Sequence, residues 1–374
     1  MSGGALAGIT VIEFAGLGPC PFAGMMLADM GADVLVIHRI DDAASGERAD
    51  EHRGKRSIAL DLKHERAREV VWALLERADA LIEGFRPGVM ERLGYGPDAV
   101  AARCPKLVYG RVTGWGQTGP LAQAAGHDIN YVSLTGAMSI AGRQSEAPMV
   151  PATLVGDMGG GAMFLAFGTV CALLESQRSG RGQVVDAAMV DGVSMLASLV
   201  HQRRGNGHWS DDPKDNFFLG ASPFYDVFEC ADGGHVSLGP IEPKFYAELL
   251  QRLELTDVDP ARQYAFDDWP ALRERIAALL KTRPRAHWCA RLEGSDACFA
   301  PVLSLAEAPH HPHHVARGAF VEVDGRTWPA PAPRLSRSAA RAPQRGPAPG
   351  EHTDAVLREL GFDAAALRAA RACA

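Results

Sequence analysis

The spacing of apolar and polar positions changes repeatedly along this chain, and each change marks an element. Residues 8–15 (GITVIEFA) are β-branched and apolar, Gly16, Gly18 and Pro19 follow, and an apolar-periodic run covers 22–30; the pattern predicts a strand, a tight loop and a helix. A second strand over 32–37 ends in His38-Arg39. Such a β-α-β opening belongs to an open parallel sheet with its ligand crevice at the carboxyl edge. Ala67, Val70, Val71, Leu74 and Leu75 sit at helical spacing and predict a covering helix over 65–78. Short helices are expected over 89–93, stopped by Gly94, and over 97–104, opened by Pro97. Residues 107–113 (LVYGRVT) read as a strand, and 114–120 (GWGQTGP) as a glycine-rich loop that leads to His127.

Residues 131–140 are apolar and small, 142–147 read as a polar loop, and 150–155 extend toward Gly156-Asp157. The clearest helix is expected over 158–177, with Arg178 and Gly180 on its C-terminal side. It is apolar almost all round, which predicts burial. A strand over 183–187 and a helix over 189–200 come next. The polar stretch 201–216 (HQRRGNGHWSDDPKDN) reads as a linker ending the first domain. Alternation in 224–229 and 234–238 around Ala231-Asp232-Gly233 predicts a hairpin. Helices follow over 242–253, 269–280 and 284–292; 329–350 reads as an extended Pro, Ala and Arg-rich linker, and 353–360 as a last helix. No internal repeat is visible.

Composition adds exclusions. Acidic residues (45) outnumber Lys and Arg (38) and the two are interleaved, so there is no basic face for nucleic-acid phosphates, and nucleic acid is not an expected partner. Seven cysteines without a C-x-x-C pair read as reduced packing residues. The start Met1-Ser2-Gly3-Gly4 lacks a charged region followed by an apolar run, and no stretch reads as long enough to span a bilayer, so no membrane is expected and the cytoplasm is the expected location. The tract 308–314 (APHHPHH) is read as exposed loop and not as a metal site, because two prolines break helical ligand spacing and no cysteine or carboxylate cluster adjoins it.

Candidate chemistry falls in two places. Gly16-x-Gly18 has Pro21 where a third dinucleotide-binding glycine belongs, and Arg39 stands where an acidic ribose ligand would end the second strand; Arg39 suits either a phosphate or an ordinary surface position. Arg53, Lys55 and Arg56 ahead of a short strand, with Arg86 beside another, either are solvated or converge with Arg39 on one crevice for a ligand with several phosphates. His127 and Asp157, about one helix apart, suggest two proton-transfer bases in one pocket. Asp157 at a helix start reads as an N-cap or as a site residue. The run Gly159-Gly160-Gly161 favours the site, since it allows close approach to backbone N–H groups around Asp157 and Met158 that would hold an oxyanion.

Taken together, Val11-Ile12-Glu13, Leu27-Ala28-Asp29, Gly126-His127-Asp128-Ile129-Asn130-Tyr131, Gly156-Asp157, Ile241-Glu242-Pro243 with Phe245-Tyr246, Pro301-Val302-Leu303 and Gly350-Glu351-His352-Thr353 make the chain resemble the family III CoA-transferases over nearly its whole length, and within them the racemases. The resemblance implies an α/β fold and an interlocked homodimer. Each subunit would have a Rossmann-like large domain built from both chain ends (1–200, with 336–374 returning to it) and a small α+β domain (221–315), joined by linkers 201–220 and 316–335. It implies an acyl-CoA thioester as substrate, CoA being part of that substrate, with no metal and no nicotinamide. The active site would lie between subunits, His127 paired with the partner's Glu242 on one face of the substrate carbon and Asp157 on the other, interconverting (R)- and (S)-2-methylacyl-CoA through an enolate. Arg39 and Arg56 become candidates for the CoA phosphates, Arg92 for the pantetheine or phosphate side, and Tyr131, Met158 and Gly159 for substrate contacts. The family's transferases use the residue matching Asp157 as a nucleophile that forms an acyl anhydride; that is the alternative activity, and a catalytically silent CoA-binding protein is a third.

Overall fold

The structure, a computed structural model, describes residues 3–46, 48–141, 147–212 and 215–374. Of the expected polar loop 142–147, residues 142–146 lie outside that set, as do Pro213 and Lys214 of the stretch 201–216. The chain divides into two compact units, the first from 1–137, 151–197 and 318–374, the second from 138–150 and 198–317. Segment 138–150, expected inside the large domain, groups with the second unit, and 318–335, expected as linker, belongs to the first.

The first unit is built on six strands and the helices between them. In order they are β1 (Thr10–Phe14), α1 (Pro19–Asp29), β2 (Asp33–Arg39), α2 (Ile40–Ser45), β3 (Arg56–Leu60), α3 (Glu65–Leu75), β4 (Ala80–Glu83), α4 (Val89–Leu93), α5 (Pro97–Arg103), β5 (Val108–Thr113), α6 (Asp128–Leu134), a π-helical segment Leu154–Ala162 that runs into α7 (Met163–Ser179), β6 (Val184–Ala188) and α8 (Met189–Leu196). All six strands are parallel in the order β3-β2-β1-β4-β5-β6. Parallel strands need helical crossovers, and those helices cover both faces, so the strands are apolar almost throughout. Alternate residues sort to the two faces: Ile12, Phe14, Leu35, Ile37, Ile58 and Leu60 pack with α3, whereas Val11, Val34, Ile82 and Val108 pack with α1 and α7.

Two buried ion pairs tie α1 and β1 to the segment before β3. Lys55 Nζ donates to both oxygens of Glu13 (2.9 and 2.7 Å) and to the Pro21 carbonyl (2.8 Å), and Arg53 donates twice to Asp29 (3.3 and 2.6 Å). Gly24 faces this pair at a spot where a Cβ would come within 1.8 Å of Glu13 Oε2, so a side chain there would evict the carboxylate.

After 138–150, the second unit continues with α9 (Ser198–Gly205), which is helical through 201–205 where the sequence predicted the start of a polar linker; its residues are largely exposed. The predicted hairpin is β7 (Asp226–Glu229) and β8 (His235–Leu238), closed by the Cys230 N–H donating to the Gly234 carbonyl and turned at left-handed Gly233 (φ 77°). After α10 (Pro243–Arg252), α11 (Trp269–Leu280) and α12 (Arg285–Leu292), β9 (Phe299–Val302) adds antiparallel to β8. Phe224, Tyr246, Trp269 and Trp288 fill the core between this sheet and the helices. In the histidine tract, α13 (Pro312–Arg317) follows a bend in which His311 pairs with Glu293 at 2.7 Å.

The chain returns to the first unit through the hairpin β10 (Phe320–Val323) and β11 (Arg326–Pro329), crosses 330–350 without regular structure, and ends in α14 (Thr353–Leu360) and α15 (Ala364–Ala369). Residues 372–374 then lie along β3: Cys373 bridges Leu60, the Asp61 N–H donates to the Ala372 carbonyl and the Ala374 N–H to that of Ala59.

Three expectations about the glycine-rich helix change. Helical backbone begins at Leu154, after left-handed Thr153 (φ 63°), not at 158. Its burial is one-sided: Leu165, Ala166, Ala172 and Leu173 face the sheet, while Phe167 is 71% exposed and Leu174 57%. Joined to the π segment, Leu154–Ser179 is a 26-residue helix long and apolar enough to cross a bilayer, contrary to the sequence expectation, though 44% of its most apolar window is buried in the fold.

Candidate active site

In a doubly wound sheet the crevice opens where successive crossovers leave in opposite directions, here at the carboxyl ends of β1 and β4. The β1–α1 loop lies there, with Gly18 left-handed (φ 71°) and 3.6 Å, measured from an added Cβ, from the Asp157 carboxylate. Asp157 thus sits over the switch point. It is not an N-cap: it lies inside the wide first turn of the π segment, half-buried.

His127 is the N-cap of α6, its N–H donating to Asn130 Oδ1 (3.1 Å), and it is exposed. The next residue, Asp128, is buried and accepts the Asp157 N–H on Oδ1 at 2.7 Å. Gly156 permits this contact, since a Cβ there would come within 2.3 Å of the same oxygen. Burial pushes the Asp157 carboxyl above its ordinary range, the Asp128 charge adds to the rise, and His127 opposes it, which places the three groups within electrostatic reach. Asp128 escaped the sequence reading because an acidic residue in a helix's first turn is commonplace; the signal available was its place between His127 and a glycine-aspartate pair.

The expected oxyanion donors are already committed. The Asp157 N–H serves Asp128, and the Met158 N–H serves the Thr153 carbonyl at 2.9 Å, as the i to i−5 bonding of a π turn requires. Two of the three glycines are packing residues as well: a Cβ on Gly160 would lie 2.5 Å from Val193 Cγ2 in α8, and one on Gly161 3.0 Å from Pro19 Cβ. Met158 packs against the sheet core, and Gly159 is half-buried beside Leu196.

Tyr131 is held in place on several sides. Its hydroxyl donates to the Gly126 carbonyl, its ring meets Trp115 edge-on with centroids 4.8 Å apart, and Gly114 and Gly126 leave room where Cβ atoms would overlap the ring. Burial raises its phenol pKa, Asp157 raises it further and Arg86, three residues past β4, lowers it, which places Arg86 within electrostatic reach of the same site.

The cations do not converge as expected. Register puts Arg39 beside Leu60 at the carboxyl edge, and Arg56 beside Leu35 toward the amino edge. Arg56 is held by Asp33 (3.0 and 2.7 Å) and Glu359 (2.9 Å), and Arg53 and Lys55 are in the buried pairs described above. This removes Arg56 from the phosphate candidates: it is committed to carboxylates on the wrong side of the sheet. Arg39 is exposed, in loose contact with Asp41 (3.8 Å), and Arg92 is exposed on α4. Glu242 belongs to the second unit, where it is the exposed N-cap residue of α10; its carbonyl accepts the Phe245 and Tyr246 N–H groups, and its carboxylate makes no capping bond. A cavity of about 1260 Å³ in that unit is lined by Phe218, Tyr225 and Trp269 and not by Glu242. Among the described residues no group of His, Cys, Asp and Glu has metal-binding geometry.

Comparison with known proteins supplies the context. The sequence profile of CoA-transferase family III matches residues 6–353. The chain is 44% identical to the α-methylacyl-CoA racemase of Mus musculus over 96% of its own length and 93% of that protein, and 40% identical to that of Homo sapiens over 96% and 94%. Among solved structures, a CaiB/BaiF family protein from Brucella suis superposes with a TM-score of 0.81 at 25% identity, covering 96% of this chain and 99% of that one.

Proposed function

Because the chain belongs to the family III CoA-transferases, we propose that it interconverts (R)- and (S)-2-methylacyl-CoA thioesters by taking the α-proton on one face and returning a proton on the other. The observation that carries this reading is the Asp157 carboxyl, half-buried over the switch point, raised by burial and by Asp128, and within electrostatic reach of His127. Inverting a carbon by proton transfer needs an acid and a base on opposite sides, each with a pKa near the working pH. A carboxyl raised by its surroundings holds a proton more readily, which suits it to return one to the enolate. His127, exposed at the mouth of α6, is assigned the other face. The reaction moves protons only, so CoA enters as part of the substrate and no separate cofactor is invoked.

A homodimer is proposed with it. An exposed apolar face formed by Met163, Phe167, Val170 and Leu174 on α7, with Met195 and Leu196 on α8, supports one, since contiguous apolar surface of this kind on a soluble protein marks an interface. In that dimer the partner's Glu242 holds the His127 imidazole and stabilises its cation, while Arg39 and Arg92 meet the CoA phosphates and pantetheine. A base that works dry is exposed in the single chain, and a second subunit would cover it.

The test is proton NMR of the purified protein with (S)-2-methylacyl-CoA in deuterated buffer without acceptor acid. Loss of the α-proton signal with loss of stereochemical purity is expected, and His127→Ala should abolish both. No exchange, combined with CoA transfer once a carboxylic acid is added and an acyl adduct at Asp157 trapped by hydroxylamine, would replace this reading with the transferase one.

A further inference from the structure

Inside the second unit, the backbone of Glu242 is gripped from two directions. After it, the first turn of α10 hangs from its carbonyl, and Tyr246 on that turn is fully buried in the core. Before it, the carbonyls of Pro240 and Ile241 both accept from Gln263 Nε2 (2.9 and 3.0 Å), and the Ile241 carbonyl also accepts from the Tyr264 hydroxyl (2.9 Å). One carbonyl oxygen has two lone pairs, so the peptide leading into Glu242 is saturated.

Gln263 is itself buried, at 3% exposure, and its amide gives both of those bonds to this one loop. Its Oε1 is buried too and accepts no hydrogen bond among the described residues. The flipped amide would set that oxygen against two carbonyl oxygens, which fixes the orientation. An amide half unsatisfied in the interior carries a desolvation cost that an apolar side chain of its size would not. Its hold on 240–241, not its packing, is what distinguishes it from such a side chain. The main chain beneath it is anchored, the Gln263 carbonyl accepting Trp269 Nε1 (2.8 Å) and Arg262 pairing with Asp268 (2.6 and 3.0 Å). Tyr264 is 47% exposed, so little packing depends on its ring. Burial raises its phenol pKa, Glu242 adds to the rise and Arg203 opposes it, which places Glu242 within electrostatic reach of the hydroxyl that holds its loop.

We propose that Gln263 and Tyr264 are positioning residues, which fix the backbone of Glu242 so that its carboxylate meets the His127 imidazole. This rests on the role given to Glu242 above and extends it to two residues that touch neither substrate nor histidine. The Glu242 carboxylate makes no capping bond to α10, so its placement starts from wherever residues 240–242 are held.

The experiment is steady-state racemisation of (S)-2-methylacyl-CoA by Gln263→Met and Tyr264→Phe, each in wild type and in Glu242→Gln, with folding checked by circular dichroism. Gln263→Met removes both amide donors at nearly constant size, and Tyr264→Phe removes one exposed hydroxyl, so the second variant decides the matter even where the first does not fold. An interaction used only in the transition state lowers kcat and leaves KM level. Gln263→Met should therefore lower kcat about 30-fold and Tyr264→Phe about 5-fold, with KM within about 2-fold of wild type. On the Glu242→Gln background neither should lower kcat by more than about 2-fold further, because the group they place is gone. A merely structural role would give the same loss on both backgrounds. That result, or wild-type kcat in folded Gln263→Met and Tyr264→Phe, overturns the assignment and leaves the racemase reading standing. Wild-type kcat in Glu242→Gln overturns the role of Glu242 together with this inference, and no racemisation by wild type overturns the reading on which both rest.

Discussion

Gly156→Ala tests the link between packing and chemistry at Asp157 most directly. Gly156 has no left-handed φ, so alanine is compatible with its backbone, and in open helical space it would stabilise by about 0.5–1 kcal/mol. Here the new Cβ would lie 2.3 Å from Asp128 Oδ1, 2.9 Å from its Cγ and 3.1 Å from Val132 Cγ2. Ordinary contact requires the carboxylate to retreat by about 1 Å, which breaks its 2.7 Å bond to the Asp157 N–H. A hydrogen bond to a charged acceptor contributes about 1.5–3 kcal/mol, and crowding adds strain, so a net destabilisation of about 2–3 kcal/mol is expected. Loss of that bond frees the Asp157 backbone, and a misplacement of about 1 Å at the reacting group lowers the rate on the order of 100-fold. The assays are denaturant unfolding and α-proton exchange followed by NMR. Asp128→Ala supplies the control, since it removes the obstructing carboxylate. On that background Gly156→Ala should add less than about 0.5 kcal/mol and little further loss of rate, a non-additivity expected only of groups in contact. Wild-type exchange in Gly156→Ala, or additive effects in the double variant, would refute the proposed coupling.

Three further outcomes follow from other parts of the structure. Lys55→Met should cost about 3–5 kcal/mol, because it leaves Glu13 buried without its partner. Burial already raises Glu13 from 4.5 to about 7 against the pull of Lys55, so Glu13 lowers stability as pH rises through that range. Without Lys55 the carboxyl rises further and stays neutral at pH 6, making the deficit larger at pH 8 than at pH 6; equal deficits in chemical unfolding would contradict this. Asp157→Asn should abolish exchange yet raise the melting temperature at pH 8 and not at pH 3: the folded carboxyl pKa lies above the unfolded one, so ionisation removes stability as pH rises through the folded value. Phe167→Asp, on the exposed face of α7, should convert the proposed dimer to monomer in light scattering without lowering the amount of folded protein.

The sheet was legible because parallel strands are apolar on both faces and their crossover helices keep a 3.6-residue period, as in β1, β2 and α3. The π segment was not, because nothing in the spacing of Gly159, Gly160 and Gly161 separates a wide turn from a substrate cradle; the deciding atoms are on α8, at Val193, and on α1, at Pro19. The one-sided exposure of α7 was hidden for a related reason. Apolarity all round predicts burial without saying by what, and the sheet covers only one face of that helix. Lys55 and Arg56, adjacent in sequence, read alike there, as solvated cations or as phosphate ligands. In the fold, one is a buried partner of Glu13 and the other is bound to Asp33 at the amino edge, a distinction set by strand direction and not by composition. Residue type and spacing single out Asp157 and His127 as candidates, whereas the contact made by Asp128 needs coordinates, because it depends on a backbone N–H 29 positions away.

The pairing of residues 372–374 with β3 has a consequence for how this protein is made. Contacts between β3 and the C-terminal segment span 294 positions from Ala59 to Thr353 and 313 from Leu60 to Cys373. At roughly 5–20 residues per second, β3 leaves the ribosome about 15–60 s before the chain that covers it. For that interval its outer N–H and C=O groups are bare, the state in which a sheet edge recruits neighbouring chains. Slowing translation late in the message should therefore lower the soluble yield of this protein more than slowing it early.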